Sequence, residues 1–168
     1  QIKALARGED FSDTILPSSG WFVENPPQVI PPMFVANDFF VISNEVKDAL
    51  QRCGATGVRF HPFALYDEKG GAIIGEYHLL IIKSSDSLLL QGRSLPALRR
   101  RSANGKFVLR GSAKDDEVRL ADGKARRNQI WIDRDVSDAV FVGCEVYRKL
   151  TPFLAEAKFR WVRCVSED

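Results

Sequence analysis

The chain has 168 residues, 45% of them hydrophobic and 27% charged, ordinary values for a globular domain with a sizeable core. No run reaches the roughly 18 apolar residues of a membrane-spanning helix; the longest, Tyr77 to Ile82, has the length of a strand. Three cysteines, Cys53, Cys144 and Cys164, are too few and too far apart for a disulfide scaffold, and they match a reducing, cytoplasmic setting in which each is a small buried hydrophobe.

The net charge of +2 hides an uneven distribution. Residues 91–128 hold 11 Lys/Arg against four acids, a surplus of seven, and the remaining 13 basic and 18 acidic residues leave a deficit of five. The first residue is Gln, so a lost signal peptide or a trimmed start stays open.

Residues 1–37 show little periodicity. Pro17 to Gly20 mark a turn, Trp21 to Val23 suit a short strand or an anchor, and the pairs Pro26-Pro27 and Pro31-Pro32 force extended backbone. The expectation is an extended, Pro-containing leader packed on the domain formed by residues 38–168.

Phe39 to Ile42 reads as a strand. Ser43 or Asn44 then offers an N-cap oxygen. Val46, Ala49, Leu50 and Cys53 follow helical spacing, Glu45 and Arg52 suit the two ends of the helix dipole, and Gly54 stands where a helix stops. Val58 to Tyr66 alternates as a strand, Lys69-Gly70-Gly71 signals a hairpin, and Ala72 to Ile82 reads as a long strand covered on both faces. A short strand is expected at Leu88 to Leu90.

The basic middle, 91–128, reads as surface loops and short strands, among them Phe107 to Arg110. Gln129 to Asp133 is a strand. A second, degenerate strand-helix-strand unit follows: Glu145, Val146 and Leu150 repeat Glu45, Val46 and Leu50, and Phe159-Arg160-Trp161 repeats Val58-Arg59-Phe60 within an expected closing strand, Lys158 to Val165. Gly143-Cys144 stands in place of a Ser cap, and Thr151-Pro152 interrupts the helix or starts a new turn. The fold class is therefore α+β: a mostly antiparallel sheet with a few short helices, built around two related units, 39–90 and 129–165, joined by the basic middle.

Chemistry-bearing motifs are sparse. His61 and His78 stand on strands without metal-ligand spacing, and no nucleophile elbow or phosphate loop occurs. Cys144, near a helix start, is a weak nucleophile candidate. Asp133, Asp135 and Asp138 suit either a divalent-cation site or turn residues bonding their own backbone. These patterns imply no metal and no cofactor. The basic middle is the main electrostatic feature, and Arg99, Arg100, Arg101, Arg126 and Arg127 are its candidate partner-binding residues. It has three readings: solvated loops paired to Asp115, Asp116 and Glu117, contact with an acidic protein surface, or nucleic-acid binding.

The residues Phe40, Val41, Ser43, Glu45, Val46 and Leu50, then Gly57, Val58, Arg59, Phe60 and Pro62, then Tyr77, Leu79 and Leu80, form an ordered set. With QIWID at 129–133 and the second F-V-x-x-E-V, this set resembles a family of bacterial immunity proteins encoded beside polymorphic toxins, over roughly residues 38–165. The resemblance implies a non-catalytic, cytoplasmic protein that binds and neutralises one cognate toxin domain. Its matched positions are structural and carry no toxin-contacting residue. The arginines, chosen on charge, would suit a toxin with an acidic docking face; the alternative is a nucleic-acid-binding module using the same segment.

Overall fold

The computed structural model describes residues 16–22, 29–37, 39–67, 71, 75–100, 105–121, 126–157 and 159–167. Chain order begins with strands β1 (Ser19–Trp21), β2 (Met33–Ala36) and β3 (Phe39–Ser43). Helix α1 (Asn44–Arg52) and strands β4 (Val58–Tyr66) and β5 (Tyr77–Ile82) complete the first unit. These strands form one sheet in the order β1-β4-β5-β3-β2. Its centre is antiparallel, with Phe40 opposite Leu80 and Leu80 opposite Phe60, whereas β1 joins β4 in parallel.

The first unit follows its sequence signals closely. Ser43 is the N-cap and its hydroxyl accepts the Val46 amide at 3.5 Å. Gly54 follows the C-cap residue, Cys53, at φ +65°. Central β5 is buried on both faces, because Leu80 and Ile82 enter one apolar cluster and Tyr77, Leu79 and Ile81 another. Pro62, which has no amide to donate, lies where β4 has an open edge, since β1 pairs only with Ala64 to Tyr66.

The described part of residues 1–37 supplies β1 and β2, both edge strands of the main sheet. The first Pro pair, Pro26-Pro27, lies outside the described residues, as do Lys69 and Gly70 of the expected hairpin. The expected strand from Ala72 is described as strand only over Tyr77–Ile82.

Beyond β6 (Ser85–Asp86) come α2 (Gln91–Ser94), a 3-10 turn (Leu95–Ala97), β7 (Leu98–Arg100), β8 (Phe107–Leu109) and β9 (Val118–Ala121). Expectation and structure part here, because the basic middle is not merely surface. Ala97, Leu98, Val118 and Leu120 are buried with Leu89, Trp131, Val136 and Phe141 in a cluster of their own. Burying each of the Leu, Val and Phe side chains is worth about 1.5–3 kcal/mol, so the segment folds on apolar residues interleaved with its charges. The expected strand at Leu88 to Leu90 is a single bridge, Leu89 to Leu120.

The chain closes with β10 (Ile130–Asp133), β11 (Val136–Ser137), β12 (Phe141–Val142), α3 (Cys144–Leu150), a 3-10 turn (Thr151–Phe153) and β13 (Cys164–Glu167). Strand β10 is buried throughout because its faces serve different clusters: Ile130 and Ile132 join Val46, Leu50, Val146 and Leu150, while Trp131 joins the basic middle. The repeated Val46/Val146 and Leu50/Leu150 positions thus meet in one core between α1, α3 and the main sheet.

The second unit's expected closing strand, Lys158 to Val165, is a strand only from Cys164 on. Pro152 starts the 3-10 turn, and residues 159–163 are irregular. Phe159 and Trp161 reach the core as side chains, Phe159 packing on Phe40 with ring centroids 5.7 Å apart. Arg160 donates to the carbonyls of Arg110 and Ala113. Strand β13 begins only at Cys164 and pairs in parallel with β9, away from β10. The described strand pairs are mostly antiparallel with several parallel ones, an α+β arrangement.

Candidate functional site

Arg99 and Arg100 stand exposed on β7, the edge strand of a three-stranded ribbon ordered β11-β8-β7. Consecutive strand residues point to opposite faces, so the two guanidiniums flank the strand from both sides. Neither has an ion-pair partner among the described residues. Arg101 lies outside the described residues.

Arg126 and Arg127 belong to different surroundings. The Arg126 guanidinium donates to Asp86 Oδ2 and to Gln129 Oε1, both at 2.7 Å, and lies over the Trp131 ring, 5.9 Å from its centroid. Its charge is already occupied. Arg127 exposes its side chain and uses its carbonyl internally. The turn holding both is a junction between the two units. The Asn128 carbonyl accepts the Thr56 amide at 2.8 Å, and the Arg127 carbonyl accepts the Glu145 amide at 3.0 Å. Gln129 donates its side-chain amide to Ser84 and accepts the Gly143 amide at 2.8 Å. That explains Gly143: a Cβ there would collide with the carbonyls of Arg126 and Arg127, and the second of these caps α3 in place of a side chain.

Other basic residues are also engaged. Arg93 and Arg119 share Glu167, Arg163 grips Asp116 through both carboxylate oxygens, and the Arg110 Nε donates to the Leu98 carbonyl at 2.7 Å. The Arg163 contact holds the exposed Asp116 carboxyl below its ordinary range. Of the local acids expected to neutralise the middle, Asp115 and Glu117 instead accept the backbone amides of Arg163 and Lys114.

Of the residues considered for catalysis, Asp133 and Asp135 bond within the scaffold. Asp133 is 2% exposed; its Oδ2 accepts the amides of Leu88 and Leu89 at 2.8 and 2.9 Å, and its Oδ1 accepts that of Asp135 at 2.9 Å. The Asp135 carboxylate takes the Ser87 hydroxyl at 2.6 Å. Burial pushes the Cys164 thiol up to about 11, the wrong direction for a nucleophile. Cys144 is exposed at the start of α3. Burial first, then Lys47, lowers the proton affinity of His78, whose Nε2 lies 3.4 Å from the Lys47 ammonium. Among the described residues no group of three His, Cys, Asp or Glu side chains is arranged to hold a metal ion.

A cavity of about 240 Å³ opens at the start of α1, lined by Asn44, Glu45, Glu76, Tyr77 and Glu156 among others. Glu45 is held below its ordinary range, chiefly by the Ser43 hydroxyl, and Tyr77 is raised by burial and by Glu45. Sequence reasoning saw Glu45 only as a dipole partner. Nothing in the spacing of Glu45, Glu76 and Glu156 signals that they meet.

No helix of the described residues is long and apolar enough to cross a membrane. Compared with known proteins, the chain matches no family model, and no curated protein is similar enough to count as a match.

Proposed function

We propose that this chain is a non-catalytic immunity protein that binds one cognate bacterial toxin domain and neutralises it in the cytoplasm. The observation that carries the reading is how the polar groups are used. Asp133, Asp135, Arg126 and Gln129 are consumed by the scaffold, whereas Arg99 and Arg100 stand exposed on an edge strand with no ion-pair partner among the described residues. The ordered motif that resembles immunity proteins supports it too, since Ser43, Val46, Leu50 and Leu80 build the first unit and its core. Tight inhibition needs a preorganised surface with a few anchors and complementary charge, and the double use of β10 by two cores supplies rigidity. Arg99, Arg100 and Arg127 are the side chains on offer to an acidic docking face.

The test is co-expression with the C-terminal domain encoded by the gene immediately upstream. Rescue of growth and co-purification of the pair are expected. Growth arrest in the presence of this chain, with no complex recovered, would sink the reading. Salt-sensitive binding of RNA or DNA, lost in Arg99→Glu/Arg100→Glu, would replace it with the nucleic-acid reading.

A further inference from the structure

We infer that the corner where the 3-10 turn Leu95–Ala97 runs into β7 is the anchor for an acidic, extended segment of a protein partner. The inference rests on the proposed reading only in taking that partner to be a protein. Elsewhere in the basic middle, Arg93 and Arg119 share Glu167 and Arg126 pairs with Asp86. At this corner Arg99 and Arg100 have no ion-pair partner among the described residues. Leu95, Pro96, Arg99 and Arg100 are all exposed, Leu95 at 57%.

The corner is held firmly from beneath. Leu98, 2% exposed, packs into the cluster of the basic middle. Its amide closes the 3-10 turn on the Leu95 carbonyl, and its own carbonyl takes the Arg110 Nε at 2.7 Å. The 2.8 Å bond from the Arg110 amide to the Ala97 carbonyl directs Ala97, and with it Arg99, toward β8. Leu98 and Arg100 therefore face the open edge by alternation. With Leu98 already bonded, the backbone N–H and C=O of Arg100 remain for an incoming chain, among the described residues.

Chemistry then selects the occupant. Two guanidiniums on opposite sides of one strand ask for carboxylates reaching around an edge, which an extended segment supplies and a flat surface does not. Leu95 asks for an apolar side chain beside those carboxylates. A nucleic acid would satisfy the arginines but would give Leu95 nothing, and it would find no aromatic platform here, because Phe107 is half-buried against the cluster of the basic middle.

The test uses the full chain and two probes: a short all-glutamate peptide, and the same peptide with one central phenylalanine. In NMR titrations at low salt, both should shift the amides of Leu95 to Arg100 first. Arg99→Gln/Arg100→Gln should weaken both about tenfold. Leu95→Ala should weaken only the phenylalanine peptide, about fivefold. All three side chains are exposed, and an unchanged Tm verifies that the variants fold. Three results would overturn the inference: shifts centred on Lys114 or Arg127, equal effects of Leu95→Ala on both peptides, or a DNA duplex that moves the same amides at lower concentration than either peptide. The upstream toxin domain separates this claim from the reading beneath it. If it binds wild type and Leu95→Ala/Arg99→Gln/Arg100→Gln equally, the corner falls and the immunity reading stands. If it binds neither, the immunity reading falls and the peptides still decide the corner.

Discussion

Asp133 directs a buried carboxylate at three backbone amides. Replacing it with Ala leaves those donors unpaired away from water, at a cost of roughly 3–5 kcal/mol. Urea denaturation is expected to show that loss, with Asp133→Asn recovering part of it. His78 contributes a pH dependence that begins near neutrality. Burial and the neighbouring Lys47 lower its folded pKa from the ordinary 6.5, partly offset by Glu76 and Asp48, while His61 adds to the lowering. The unfolded chain therefore binds the proton more readily. The linked stability is complete above about pH 6.5 and is lost as pH falls from there through the folded value. In Tm measured against pH, His78→Gln is expected to flatten the decline below pH 6.5 relative to wild type. A parallel decline would assign the acid sensitivity to other groups. The sequence shows His78 as an isolated polar letter on a strand and Asp133 only as the start of an acidic turn with Asp135 and Asp138. Their partners, Leu88 and Lys47, are 45 and 31 residues away, so their roles exist only after folding.

At the scale of elements, α1 and α3 solve one problem in two ways. The first helix takes its cap from its own chain, through Ser43, and the sequence displays that cap beside Val46, Ala49 and Leu50. The second takes it from the carbonyl of Arg127, 18 residues upstream, and needs Gly143 to let that carbonyl approach. The missing Ser is visible in the sequence; its replacement by a backbone oxygen is not. On capping preference alone Gly143→Ala would cost little more than a few tenths of a kcal/mol. The collision with two carbonyls decides otherwise, and an expected loss of about 1–3 kcal/mol can be read from thermal unfolding. The shortened closing strand has a similar origin. Phe159 and Trp161 have the alternation of a strand, but they fill the core beside Phe40 and Tyr147, and aromatic packing substitutes for a ladder.

For the molecule as a whole, patterning read well where burial was one-sided and poorly where charge was dense. The two-faced β5 and the shared Val46/Val146 core were legible from alternation and from an offset repeat. The cluster around Leu98 and Val118 was hidden because eleven basic residues mask the apolar positions between them. Charge also cannot distinguish a structural arginine from a free one. Arg126 and Arg99 look alike in sequence, yet one bridges Asp86, Gln129 and Trp131 while the other stands exposed. Arg126→Ala is expected to destabilise the protein by about 1–3 kcal/mol through the lost pair and stacking, whereas Arg99→Ala should stay within about 0.5 kcal/mol. Calorimetry of the two variants side by side checks this, and equal transitions would show that the Asp86 pair contributes nothing net.

The turn at 126–129 has a consequence for synthesis. Thr56, which ends the connection from α1 to β4, finds its acceptor on Asn128, 72 residues later. Strands and helices emerging from a ribosome in order would therefore wait, with the first unit's own connection unfastened, until the chain beyond Ile130 is free to return. Loop closure over such a separation comes before the contacts that reward it. The protein is thus expected to fold late and in one step, and its N-terminal half, released alone, would carry an open seam where the turn belongs.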